Sequence, residues 1–138
     1  MAKHAYHDNL TGIPLFSGLD DDELDLVAQA ATELSFPAGR VLMREGDVAH
    51  EMFVVVSGTL EVTRKGQHVA NIESGGFAGE IALLTHHHRT STVTCATECT
   101  VLHIDGRVFS TVIEEAPGIA AKMIPVMASR MAENADLH

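Results

Sequence analysis

The residues best equipped for chemistry lie in one stretch. It reads Phe77-Ala78-Gly79-Glu80-Ile81-Ala82-Leu83-Leu84, then Thr85-His86-His87-His88, then Arg89-Thr90-Ser91-Thr92-Val93. Gly75, Gly76 and Gly79 remove side chains from a bend, so backbone can approach a ligand closely. Residues 80–84 suit one short helical turn whose free N–H groups would face an anion. Arg89 brings a planar, permanently charged fork to the same anion. Glu80 adds an acceptor, which suits a sugar hydroxyl and would repel a bare phosphate. Together these groups describe a ligand that carries one phosphate with a hydroxyl close by. A plain structural salt bridge between Glu80 and Arg89 is the competing reading.

Other reactive side chains point elsewhere. Adjacent rings in His86-His87-His88 cannot easily converge on one ion, so a solvated loop is expected there. Cys95, Cys99 and His103 would align on a helix, but this region reads as strand, turn, strand, which breaks the alignment. Buried, inert cysteines are the expectation. A cupin-type metal site needs His-x-His with a following Glu, whereas the histidine triplet here precedes Arg89. Hydrolysis of a bound phosphate ester would need a metal, or a nucleophile with a base. Glu80 and Arg89 supply binding only, so no enzyme activity and no metal are expected.

The elements that must position this stretch follow from periodicity. Asp20 and Glu23 form a capping-box pattern, with Leu19 and Leu24 placed as a hydrophobic staple. Leu24, Val27, Ala28, Ala31 and Leu34 keep helical spacing, which predicts a helix reaching Phe36. Short β-rich runs follow at 40–43, 52–56, 59–63, 68–72, 92–96 and 100–104, separated by Glu45-Gly46-Asp47, Ser57-Gly58, Lys65-Gly66 and Gly75-Gly76. Many short strands with Gly-rich turns indicate a sandwich or barrel. The apolar run Met52-Phe53-Val54-Val55-Val56 should be a central strand. Val108, Phe109, Val112 and Ile113 mark one further helix. Pro117 should open a last one, with Ile119, Met123, Val126, Met127 and Met131 on its apolar side and Pro125 kinking it. The expected chain is a single domain, 1–138, with a helical N-terminus 1–36, a β-roll 37–105 and C-terminal helices 106–135.

Composition bounds the partners. The chain has 138 residues, which suits one core. Its formal charge is −10, so a polyanion such as DNA or RNA is repelled. No apolar run approaches the roughly 20 residues that a membrane helix needs. The start of the chain carries no secretory pattern. Two cysteines are too few for a disulfide framework, and a cytoplasmic setting is expected.

The stretch around Glu80 and Arg89 resembles the phosphate-binding cassette of cyclic-nucleotide-binding domains, the family of catabolite activator proteins, protein-kinase regulatory subunits and cyclic-nucleotide-gated channels. The likeness extends from Ile13 to about Arg130 through Pro14-Leu15-Phe16, Gly39, Glu45-Gly46-Asp47, Met52-Phe53-Val54-Val55-Val56 and Gly58. It implies a mainly β fold, a jelly-roll-like β-roll (double-stranded β-helix) with one N-terminal helix and two C-terminal helices. It also implies that Glu80 accepts from the ribose 2′-hydroxyl and that Arg89 pairs with the cyclic phosphate. Backbone at Gly79, Ile81 and Ala82 completes the cradle, Thr90 supplies a hydroxyl to the phosphate or to a guanine amino group, and Ser91 is a further ligand-binding position. Arg130 would meet the base from a mobile last helix. The departure is His88, where family members often place proline. The ligand implied is cyclic AMP, with cyclic GMP as the alternative, and the effector is unknown. The same module could be the sensor of a transcription regulator, or a degenerate member that no longer binds.

Overall fold

The computed structural model describes residues 10, 14–48, 50–79 and 88–136, with the side chains of Met127 and of residues 130–136 left aside. After a 3-10 turn at Pro14–Phe16 comes helix α1, Asp21–Gln29. Its start matches the sequence signal. Asp20 Oδ1 accepts from the Glu23 amide and Glu23 Oε1 from the Asp20 amide, both at 2.9 Å.

The helix does not reach Phe36. It ends at Ala30, and residues Ala31–Phe36 form strand β1, paired antiparallel with the last strand from Ala31 opposite Ile104 to Phe36 opposite Cys99. Ala31 and Leu34 fit helical spacing, but Thr32-Glu33-Leu34-Ser35-Phe36 also alternates with period two. The half-buried Leu34 and Phe36 pack on the core between the sheets. Pairing with a strand distant in sequence overrides a weak local preference. The roll therefore begins at Ala31, not at residue 37.

Seven more strands follow: β2 Val41–Met43, β3 Glu51–Ser57, β4 Leu60–Arg64, β5 Gln67–Ile72, β6 Phe77–Ala78, β7 Thr92–Cys95 and β8 Cys99–Asp105. They form two four-stranded antiparallel sheets, ordered β1-β8-β3-β6 and β2-β7-β4-β5. The short β6 was not expected as a strand. It pairs Ala78 with Phe53 and Phe77 with Val54. Helix α2, Gly106–Glu115, is capped by Asp105, whose Oδ1 accepts from the Arg107 amide at 2.8 Å. Helix α3 spans Gly118–Asp136. Pro117 stands just before it, and Pro125 lies within it.

Two cores flank the first sheet. Phe53, Val55, Leu60, Val93, Cys95, Cys99 and Val101 fill the space between the sheets. Met52, Val54, Leu102 and Ile104 point the other way, against Phe16, Leu24, Val27, Phe109, Ile119 and Met123 of the helical layer. Strand β3 thus buries both faces, which explains its unbroken apolar run. Among the described residues no helix is long and apolar enough to cross a membrane.

Candidate functional site

Arg89 lies between the end of the isolated bridge Val48–His88 and strand β7. Its backbone is held by the turn Glu45-Gly46-Asp47. The Gly46 amide donates to the Arg89 carbonyl at 2.8 Å, and the Arg89 amide donates to the Asp47 carbonyl at 2.7 Å. Its side chain turns inward and is 8% exposed, the one buried charged side chain among the described residues. Arg89 Nη2 donates to the Glu51 carbonyl at 2.6 Å. A permanent charge is costly to bury, so the site must solvate it with oriented acceptors.

Strand β6 delivers Gly79 to this guanidinium. Gly79 has φ +85°, a conformation that glycine adopts without strain. A Cβ there would stand 2.6 Å from Arg89 Nη1, 2.8 Å from the Glu51 carbonyl oxygen and 3.1 Å from Met43 Cε. The absent side chain is what admits the arginine. Three segments distant in sequence, at Glu51, Gly79 and Arg89, therefore meet at one point.

Beyond Arg89 the chain is fastened from another side. Arg64, the last residue of β4, donates from Nε to the Thr90 carbonyl at 3.2 Å and to Ser91 Oγ at 3.3 Å. Its Nη2 donates to the same Oγ at 3.0 Å. Ser91 thus turns its hydroxyl toward Arg64, whereas the Thr90 side chain is exposed. Glu45 ties the same corner. Its amide donates to Thr92 Oγ1 at 3.0 Å, and its Oε1 accepts from the Lys65 amide at 2.9 Å. Lys65 and Gly66 have φ +53° and +80°, as a two-residue type I′ hairpin turn requires.

Of the residues singled out in the sequence, the structure brings Gly79 and Arg89 together, sets Thr90 at the surface beside them, and points Ser91 at Arg64. Glu80, Ile81 and Ala82, the helical turn expected over 80–84, and His86 and His87 lie outside the described residues. So does the side chain of Arg130. Sequence reasoning missed Arg64 and the Glu51 carbonyl. Arg64 stands beside the Lys65-Gly66 turn with no motif around it, and a main-chain carbonyl leaves no mark in a sequence.

Among the described residues, Cys95, Cys99 and His103 are accounted for by packing. Cys95 and Cys99 are free thiols that face the core between the sheets. Burial, reinforced by the neighbouring Cys99, pushes the Cys95 thiol up to about 11. Cys99 Sγ donates to the carbonyls of Thr97 and Thr59 at 3.2 and 3.3 Å. The His103 ring packs on Phe53 with centroids 5.5 Å apart. Among the described residues no group of three or more His, Cys, Asp or Glu is placed to hold a metal ion.

The geometry has relatives. Over 111 residues the chain is 32% identical to a cyclic nucleotide-gated potassium channel of Rhizobium etli, covering 80% of this chain and 31% of the channel. It is 30% identical over 95 residues to a cGMP-dependent protein kinase of Drosophila melanogaster, covering 69% of this chain and 9% of the kinase. The chain thus spans less than a third of either relative. Among solved structures, the N-terminal domain of a transcriptional regulator from Streptomyces coelicolor superposes with a TM-score of 0.80 at 25% identity, covering 94% of this chain and 96% of that one. Residues 33–116, which hold Arg89 and both sheets except Ala31 and Thr32 of β1, match the family model of the cyclic nucleotide-binding domain. The chain belongs to the cyclic nucleotide-binding domain family.

Proposed function

We propose that this chain is a regulatory sensor that binds one cyclic AMP per domain and performs no catalysis. The observation that carries the reading is Arg89, a permanent charge buried under Gly79 at the end of a short strand. In this reading Arg89 pairs with the cyclic phosphate through its fork. Backbone at Gly79, Ile81 and Ala82 completes the anion cradle. Glu80 accepts from the ribose 2′-hydroxyl, and Thr90 offers a hydroxyl beside the phosphate. Ser91 supports this segment from behind, since its hydroxyl is bonded to Arg64. Cyclic GMP binds the same cradle, with cyclic AMP preferred or only weakly distinguished.

The signal leaves through α3. Phosphate and sugar are gripped by the cradle, and the purine face needs a cover. The first turns of α3 are docked on the helical layer through Ile119 and Met123. The later turns, with Arg130, are proposed to fold over the base, and that closed state is the one the ligand favours. The proposed setting is cytoplasmic, with the effector attached to or contacted by this helix. A sensor for a transcription regulator is the second reading, since the N-terminal domain of the Streptomyces regulator shares this fold.

Calorimetric titration of the chain with cyclic AMP and cyclic GMP tests the proposal. One-to-one binding is expected. Arg89→Ala should weaken it by about 2–5 kcal/mol, because a desolvated phosphate charge loses its partner. Arg89→Lys should also weaken it, since the bidentate fork is lost. Unchanged affinity in Arg89→Ala would overturn the assignment.

A further inference from the structure

Arg64 is not among the residues that the sequence assigned to the ligand, yet three of its hydrogen bonds end on the two residues that follow Arg89. Strand β4 pairs with β7 in a register that sets Thr63 opposite Thr92. Arg64 is therefore the next residue along, level with Ser91. Its guanidinium meets this segment edge-on, with Nε shared between the Thr90 carbonyl and Ser91 Oγ and with Nη2 on Ser91 Oγ. Lys65, the next residue, is pinned through its amide to Glu45 Oε1, so the hairpin that carries Arg64 is itself anchored. The consequence falls on Thr90. Its carbonyl is fixed from one side and its neighbour's hydroxyl is taken, while its own side chain stands exposed next to Arg89.

We propose that Arg64 is a positioning residue of the ligand site. By binding the Thr90 carbonyl and the Ser91 hydroxyl, it fixes the backbone beyond Arg89 and leaves the Thr90 hydroxyl as the one that meets the ligand phosphate. The proposal rests on the reading of Arg89 as the phosphate partner. An arginine suits this task better than a lysine, because Nε and Nη2 lie in one plane and reach two acceptors without a rotamer change.

The test uses the full chain with cyclic AMP as the probe. Calorimetric affinities and thermal unfolding midpoints are taken for Arg64→Gln, Arg64→Lys, Ser91→Ala, Thr90→Ala and the double variants. Arg64→Gln is expected to weaken binding about tenfold, the size of one hydrogen bond to a charged group. Ser91→Ala should weaken it less, and Arg64→Lys should recover part of the loss. The Arg64→Gln, Ser91→Ala double variant should bind no worse than Arg64→Gln alone. Thr90→Ala should lose less affinity in the Arg64→Gln background than in the native chain, a coupling that a purely structural arginine would not produce. Native affinity in both Arg64→Gln and Ser91→Ala, with Arg89→Ala impaired, overturns the proposal and leaves the function standing. Fully additive losses overturn it too, because Arg64 would then act independently of Thr90. If the native chain binds no cyclic AMP, this proposal and the function fall together. Should Arg64→Gln fail to fold, Ser91→Ala and its coupling to Thr90→Ala carry the test, since that change removes one hydroxyl only.

Discussion

The guanidinium of Arg89 occupies the space that a side chain at Gly79 would need, with Nη1 only 2.6 Å from the position of a Cβ there. The two residues are brought together by β6, which sets Gly79 beside the Glu51 carbonyl that Arg89 also bonds. Any residue larger than glycine must displace the arginine or the strand.

Gly79→Ala is accordingly expected to act twice. The positive φ alone should cost about 1–3 kcal/mol of stability. The displaced guanidinium should also lower cyclic AMP affinity beyond what the loss of stability explains. Urea unfolding and calorimetry on the same preparation separate the two effects. Native affinity in a folded Gly79→Ala protein would show that Arg89 does not need this gap.

The proposed sugar contact predicts that 2′-deoxy cyclic AMP binds the native chain about tenfold or more weakly, the worth of one hydrogen bond to a charged acceptor. Glu80→Ala should erase the difference between the two ligands. Glu80→Gln keeps an acceptor and should be milder. Competition between the two ligands in the native protein and both variants checks it. Equal native affinities would remove Glu80 from the site.

Cys95 makes a prediction about alkaline pH. Burial raises its thiol from the ordinary 9.0 to about 11 in the folded chain. A raised value means that the folded state keeps a proton which the unfolded state has lost. The stability from the neutral, buried thiol is therefore complete below pH 9 and declines as pH rises toward 11. The decline should be on the order of 2 kcal/mol. Unfolding free energies at intervals across that range should fall in the native chain and stay flatter in Cys95→Ala. Native Cys95 should also resist alkylation near neutral pH, since its thiolate is scarce.

Lys122 of α3 reaches Glu23 Oε1 of α1 at 2.6 Å, and the same oxygen closes the α1 capping box. The lysine hydrogen bond and the Asp20 amide hold the Glu23 carboxyl below its ordinary value, while Glu23 raises Lys122. Because the carboxyl value is lowered, the contribution of the pair is present above the ordinary carboxylate range and is lost as pH falls through the lowered value. Because the lysine value is raised, its side of the contribution is lost only as pH rises through that higher value. Lys122→Gln should loosen the root of α3. Amide hydrogen exchange over residues 117–135 should quicken in that variant. In the native chain, cyclic AMP should slow exchange over the same segment. No ligand-dependent protection there would mean that α3 is not the cover and that the signal takes another route.

Local chemistry made much of this protein legible from its sequence. The Asp20–Glu23 capping box needs only neighbours along the chain, and it forms as read. The apolar run of β3 needs burial on both faces, and it has it. The string around Gly79 and Arg89 lies within the stretch that matches the family, and it carried the resemblance in the sequence. The tertiary structure decided what depended on distant partners. Residues 31–36 fit a helix and a strand about equally, and only the edge offered by β8 made them a strand. Ser91 has a hydroxyl that could face ligand or protein, and the register of β4 against β7 turned it to Arg64. The Glu51 carbonyl holds Arg89, and because every residue type carries a main-chain carbonyl, the letter at position 51 does not record that bond. A side-chain alphabet records which groups a chain owns, whereas sheet pairing between remote segments sets which of them meet.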